Sequence, residues 1–189
     1  MTALPAFRSR IWAWQLRRRL QRHPVPRHTV PHDALRRVAV LYRADEPADV
    51  AAVEGFAERH RRAGRTVRLL GFARRAPEAW PAERALVTRR DCGWTGIPRG
   101  AATDAFLADG ADLLVGAWLG RSRPLEWLAA VHPAAWRAGE HHPDKEHAAE
   151  LLLSLPAERR HVAGLLEQLD HYLPAIRLAP EGGAIPSGS

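Results

Sequence analysis

Cysteine is almost missing from this chain. Cys92 stands alone among 189 residues, so no internal disulfide can form, and a reducing compartment, the cytoplasm, is expected. Long apolar runs are missing too. No stretch approaches the roughly 20 apolar residues that a membrane-spanning helix needs. The first residues interleave arginine with Ile11, Trp12, Trp14 and Leu16 where a secretory signal would carry a continuous apolar core. An arginine-rich, acid-poor start resembles a transit peptide, but Ser9 is its one serine. Glycine patterns that cradle phosphate are also lacking. Neither G-x-G-x-x-G nor G-x-x-x-x-G-K-[ST] occurs, and no G-x-S-x-G marks a nucleophile elbow. A dinucleotide cofactor at the usual place is disfavoured and a P-loop is excluded. No catalytic residue, metal or cofactor is assigned.

Acidic residues are scarce in one place only. Residues 1–37 carry nine arginines against a single acid, Asp33, whereas the rest of the chain carries nineteen basic and twenty acidic side chains. The formal net charge of +7 is therefore a property of the leading segment. A concentrated cationic segment seeks an anionic surface, while a charge-balanced body behaves as an ordinary domain. The apolar fraction of 46% and the charged fraction of 26% are those of a soluble globular chain long enough to bury a core.

Residues 6–23 predict a helix with two large apolar stripes. Phe7, Ile11 and Trp14 lie on one side and Trp12, Leu16 and Leu20 roughly opposite, with arginines between. Such a helix can dock one stripe and offer the other. Pro24 and Pro26 break it, and residues 23–33 read as an extended linker. Beyond that, strands and helices alternate. Strands are expected at 38–42, 66–72, 85–89, 111–118, 135–139 and 149–155, the last readable as helix as well. Helices are expected at 46–63, with Val50, Val53, Phe56, Ala57 and His60 inward and Gly64 at its end, at 102–109, from Ser122 as cap to 131, and from Val162 toward Ile176. The stretch 75–83 has no helical period. The pattern predicts a three-layer, Rossmann-like α/β domain with a mostly parallel sheet of about six strands, preceded by a basic N-terminal helix. The expected division is a basic arm and linker at 1–35, the α/β domain at 36–178 and a disordered tail at 179–189.

In such a sheet ligands bind beyond the C-terminal strand ends. The first strand–helix loop there carries Asp45 and Glu46, which repel phosphate. Asp91, Cys92, Gly93, Trp94, Thr95 and Gly96 follow the third strand, and offer either a pocket or a structured turn, with Asp91 capping amides, Trp94 over the sheet end and the glycines at positive φ. Cys92 has neighbouring arginines but no nearby histidine to serve as its base. Gly120, Arg121, Ser122 and Arg123 precede a helix and read as an anion site or an ordinary cap. The possible ligand pocket thus comprises Asp91, Trp94, Gly96, Arg121 and Ser122. His141, His142, Asp144 and His147 match no established metal spacing and read as a solvated loop. The arm has three readings. Arginines with interleaved tryptophans grip phosphate and stack on bases, lie on an anionic membrane, or sit in water on a helix packed against the body. The first reading names Arg10, Trp14, Arg17, Arg18 and Arg22, with RNA or a ribosome-like surface as partner. A small-molecule enzyme or sensor at the sheet edge is the alternative.

Several segments, in order, resemble one family. They are VAVLY at 38–42, Asp91-x-x-Trp94-x-Gly96, Ala111-Asp112-Leu113-Leu114-Val115, the helix at 125–130, Trp136-Arg137-Ala138-Gly139 and Leu169-x-x-Tyr172-Leu173-x-x-Ile176. Over about residues 10–176 the chain is similar to the bacterial family catalogued as domain of unknown function 6913, best represented in Bacteroidota. The resemblance implies a cytoplasmic Rossmann-like domain and no particular activity. Cys92 and the histidine-rich loop depart from the family's pattern, which counts against thiol or metal chemistry.

Overall fold

Strands with unbroken apolar sequence have to be covered on both faces, and the chain supplies helices to do so. The structure, a computed structural model, describes residues 3–143 and 148–176, with side chains from residue 6 onward. Its elements are α1 (Ala3–Arg22), β1 (Arg37–Arg43), α2 (Pro47–Arg62), β2 (Thr66–Ala73), β3 (Leu86–Thr88), α3 (Ala101–Ala108), β4 (Ala111–Ala117), α4 (Arg123–Val131), β5 (Ala134–Glu140), β6 (Leu151–Leu153) and α5 (Val162–Tyr172). Six strands form one sheet in the order β3-β2-β1-β4-β5-β6, and every pairing is parallel. This is the α/β, Rossmann-like architecture the alternation predicts. The segment at 149–155 is strand, shortened to Leu151–Leu153. No helix bridges β2 and β3, as the lack of period at 75–83 requires.

One sheet face packs Val53 and Phe56 of α2 with Leu165, Leu166 and Leu169 of α5 over Val38, Val40, Leu113 and Val115. The other face packs Phe106 of α3 with Leu125 and Leu128 of α4 over Leu41, Leu70 and Leu114. Val50, expected inside, is only half-buried. Gly64 ends α2 at φ 77°, a conformation glycine adopts without strain.

A third apolar cluster lies outside that face. Every residue from Pro124 to Val131 is buried, so α4 is covered on all sides. The sheet covers one side, and Trp12 and Leu16 of α1 cover another, meeting Ile97, Trp127, Ala130 and Val131. The linker is pinned as well. His28 N–H donates to the Ala135 carbonyl at 2.9 Å, and a 3-10 turn at His32–Ala34 interrupts the extended course expected for it. Among the described residues no helix is long and apolar enough to cross a membrane.

Candidate functional site

The leading helix docks through the stripe of Trp12, Leu16 and Leu20. Trp12 meets Trp127 edge-on at 6.4 Å between ring centres, and Arg123 donates to the Ser9 hydroxyl. Residues 9, 12 and 16 thereby lie beside 123, 127 and 130–131, so α1 and α4 run side by side in the same direction. The opposite stripe faces water, with Phe7 57% and Trp14 53% exposed. Arg10, Trp14, Arg17 and Arg18 share a face by their i, i+4, i+7 and i+8 spacing. Arg10, Arg17, Arg18 and Arg22 are all exposed, and the Arg18 guanidinium lies 5.1 Å from the Trp14 ring centre, within cation–π range.

The nine leading arginines divide into two groups. Arg27 donates to the carbonyls of Ala130 at 3.1 Å, His132 at 2.9 Å and Ala134, closing the C-terminal end of α4. Burial, and then neighbouring Arg137, lower its pKa to about 10. Arg36 donates to the Asp33 carbonyl at 2.9 Å, and Arg37 pairs with Asp112 at 3.6 Å. These three are engaged by the body, a correction to counting all nine as a free cationic handle. Among the described residues Arg10, Arg17, Arg18, Arg19 and Arg22 make no ion pair.

At the other end of α1, Arg8 turns toward the C-terminal rim of the sheet. The chain leaves β1 toward β2 and β3 on one side, and β4, β5 and β6 lie on the other, so a crevice opens beyond β1 and β4. A cavity of about 480 Å³ occupies that rim. Arg43 ends β1, Arg74 follows β2, Arg89 follows β3, and Arg121 and Arg123 lead into α4; with Arg8 they line it together with Asp45, Glu46, Thr95, Gly96 and Ser122. Asp45 is occupied, accepting the Arg74 amide at 2.8 Å.

Glu126, fully buried, organises the loop before α4. Its carboxylate accepts from Arg121 at 2.8 and 3.0 Å and from the Ser122 amide at 2.8 Å. Ser122 occupies the N-cap position, but its hydroxyl makes no cap hydrogen bond. The cap comes from Glu126, which corrects the expected role of the serine. Gly120 takes φ 63° and donates to buried Glu140 at 2.7 Å, fixing the turn after β4.

Three of the five pocket candidates, Gly96, Arg121 and Ser122, line the cavity, and two do not. Asp91 accepts from the Thr88 amide and hydroxyl, each at 2.7 Å, in a capping box. Trp94 points to solvent, 57% exposed, and does not cover the sheet end. Gly96 adopts φ 95°, but Gly93 is not in the positive-φ region. Burial pushes the Cys92 thiol up to about 11, so it is not a thiolate at neutral pH. Asp144 and His147 lie outside the described residues. Sequence reasoning reached Arg123, with Arg121, in a candidate anion site and Arg89 as a neighbour of Cys92; it did not gather them with Arg43 and Arg74, and nothing in it placed Arg8 beside them.

The chain matches the family of unknown function DUF6913 over residues 8–176. It belongs to that family. The match takes in α1 from Arg8 as well as the sheet, so the DUF6913 unit includes the arm that completes the arginine-lined rim. No curated protein matches the chain. Among solved structures it is similar to E. coli heptosyltransferase WaaC with ADP, at 14% identity and a TM-score of 0.48, over 77% of this chain and 50% of that one. The chain spans about half the length of that structure.

Proposed function

We propose that this DUF6913 protein is a non-enzymatic binding module whose α1 helix engages RNA or an RNA-rich surface. The observation that carries the reading is the outward face of α1, where Arg10, Arg17, Arg18 and Arg22 flank an exposed Trp14 without a carboxylate partner among the described residues. Guanidinium groups grip phosphates bidentately, and an exposed indole stacks on any base. Docking of Trp12 and Leu16 holds the face in place before the partner arrives, which lowers the ordering cost of binding. A membrane surface is the weaker partner. Its insertion needs a broad apolar face, and here Phe7 and Trp14 are hemmed in by arginines.

Fluorescence anisotropy with single-stranded RNA over a salt series tests the reading. Affinity should fall steeply with salt, and combined Arg10→Ala, Arg17→Ala and Arg18→Ala should flatten the logarithmic slope by roughly two units. Trp14→Ala should weaken binding by about 1–3 kcal/mol. Point variants are the right tools, because deleting the arm would uncover Trp127, Ala130 and Val131. Unchanged affinity and salt slope in the triple variant would refute the reading. Sedimentation with anionic vesicles, and no RNA affinity, would transfer the face to a membrane.

A further inference from the structure

The arm does not use the arginines of the sheet rim, and their arrangement carries a separate function. We infer that the cavity beyond β1 and β4 binds a phosphate monoester. Five of its arginines, Arg8, Arg43, Arg74, Arg89 and Arg123, come from five different parts of the chain, yet none makes an ion pair among the described residues. Like charges gathered in one concave space repel one another unless an anion enters. Two carboxylates, Asp45 and Glu46, line the cavity against six arginines, and Glu126 offsets only Arg121, so positive charge remains in excess.

Buried polar atoms point the same way. The Arg8 Nε atom is buried without a hydrogen-bond partner among the described residues. Thr95 and Ser122 are 2% and 8% exposed and line the cavity, and their hydroxyls, not fully enclosed, carry no hydrogen bond to another described residue. Hydroxyls left in this way on a cavity wall can bond a ligand oxygen in place of water. The α4 N-terminus adds little, because Pro124 lacks an N–H and Glu126 already takes the Ser122 amide. The arginines and hydroxyls therefore specify the ligand. Arg43, Arg89 and Arg123 each donate one hydrogen bond, to the Arg121 carbonyl, the Gly93 carbonyl and the Ser9 hydroxyl, and their other N–H groups remain. A tetrahedral dianion with three strongly accepting oxygens suits several guanidinium groups around one cavity better than a planar, singly charged carboxylate does.

A phosphate monoester can be a free metabolite or the 5′ end of a nucleic acid, and the experiment separates them. The full-length protein is titrated with orthophosphate and glycerol phosphate by thermal shift and calorimetry, against potassium chloride at matched ionic strength. A 5′-phosphorylated oligonucleotide is compared with its 5′-hydroxyl twin. Phosphate should raise the melting temperature where chloride does not. Arg74→Ala, whose side chain is exposed, should lower affinity at least about tenfold, and Thr95→Val, which keeps the shape, about threefold to tenfold. Arg17→Ala with Arg18→Ala should leave phosphate binding unchanged, so failure of the RNA reading and of this one are separable. A preference for the 5′-phosphorylated strand that Arg74→Ala abolishes would assign the site to nucleic-acid ends. Equal binding of the two strands with saturable glycerol phosphate would assign it to small molecules. No response to phosphate beyond that to chloride, or an equal response in the Arg74 and Thr95 variants, would overturn the proposal.

Discussion

The two rims of the sheet treat the same residue type in opposite ways. At the N-terminal rim, a cavity of about 310 Å³ is lined by Arg37 and Arg68, and each has its carboxylate, Asp112 and Asp109. At the C-terminal rim six arginines line one cavity and, among the described residues, only Arg121 is paired with a carboxylate. Composition alone, with 28 basic and 21 acidic residues, would spread the excess evenly. Its concentration beyond β1 and β4, and along the outward face of α1, marks where an anion is expected. Cations opposite carboxylates are balanced within the fold; the two proposed anion sites draw on those that are not.

The largest expected effect breaks the C-terminal rim by removing its lid. Trp12→Ala should destabilise the protein by about 3–5 kcal/mol in denaturant unfolding, because a buried indole and its contact with Trp127 are lost. Undocking α1 would also withdraw Arg8 from the cavity. An unchanged unfolding midpoint would mean that α1 is not an integral layer.

Arg121→Ala should cost about 2–4 kcal/mol, since Glu126 would be left charged and buried. Arg74→Ala, lining the same cavity, should stay within about 0.5 kcal/mol. Equal losses in the two would erase the distinction between paired and unpaired arginines.

At the opposite rim, burial and the guanidinium groups of Arg27 and Arg137 press the pKa of His132 down to about 4, against the weaker opposing pull of the Phe106 backbone and Asp109. The folded state then holds fewer protons than the unfolded state between about pH 4 and 6.5. The stability His132 allows is complete above the unfolded value and is lost as pH falls toward 4. Unfolding followed at pH 7 and pH 5 should differ by about 2 kcal/mol from this residue. His132→Phe should remove that part of the acid sensitivity. Asp170 and Glu150, held below their ordinary values despite burial by His60 with Arg59 and by Arg137 respectively, lose their contributions at lower pH. A variant as acid-sensitive as the parent would refute the assignment.

The smallest effect sharpens the contrast. Arg68 pairs with Asp109 on an exposed surface, and Arg68→Ala should cost under about 1 kcal/mol, vanishing at high salt. A large loss would make the N-terminal rim more than a balanced surface.

Local patterns in the chain were enough to place nearly every strand and helix, because apolar runs and periodic faces such as Val53, Phe56 and Leu165, Leu166, Leu169 reflect burial that each element needs wherever it packs. They also revealed two apolar stripes on α1, one of which could dock; that Trp12 and Leu16 are the docked side came from the structure. The course from Leu125 to Val131, apolar except for Glu126, was a further signal, since a helix buried all round needs a second cover. Long-range contacts settled the rest. Whether Arg27 is free or closes a helix, and whether Arg8 shares a cavity with Arg43, depend on residues far apart in the chain. Charge reads the same in a sequence whether a carboxylate lies opposite it or not; tertiary packing is what set Arg37, Arg68 and Arg121 against carboxylates and left the other rim arginines without one among the described residues.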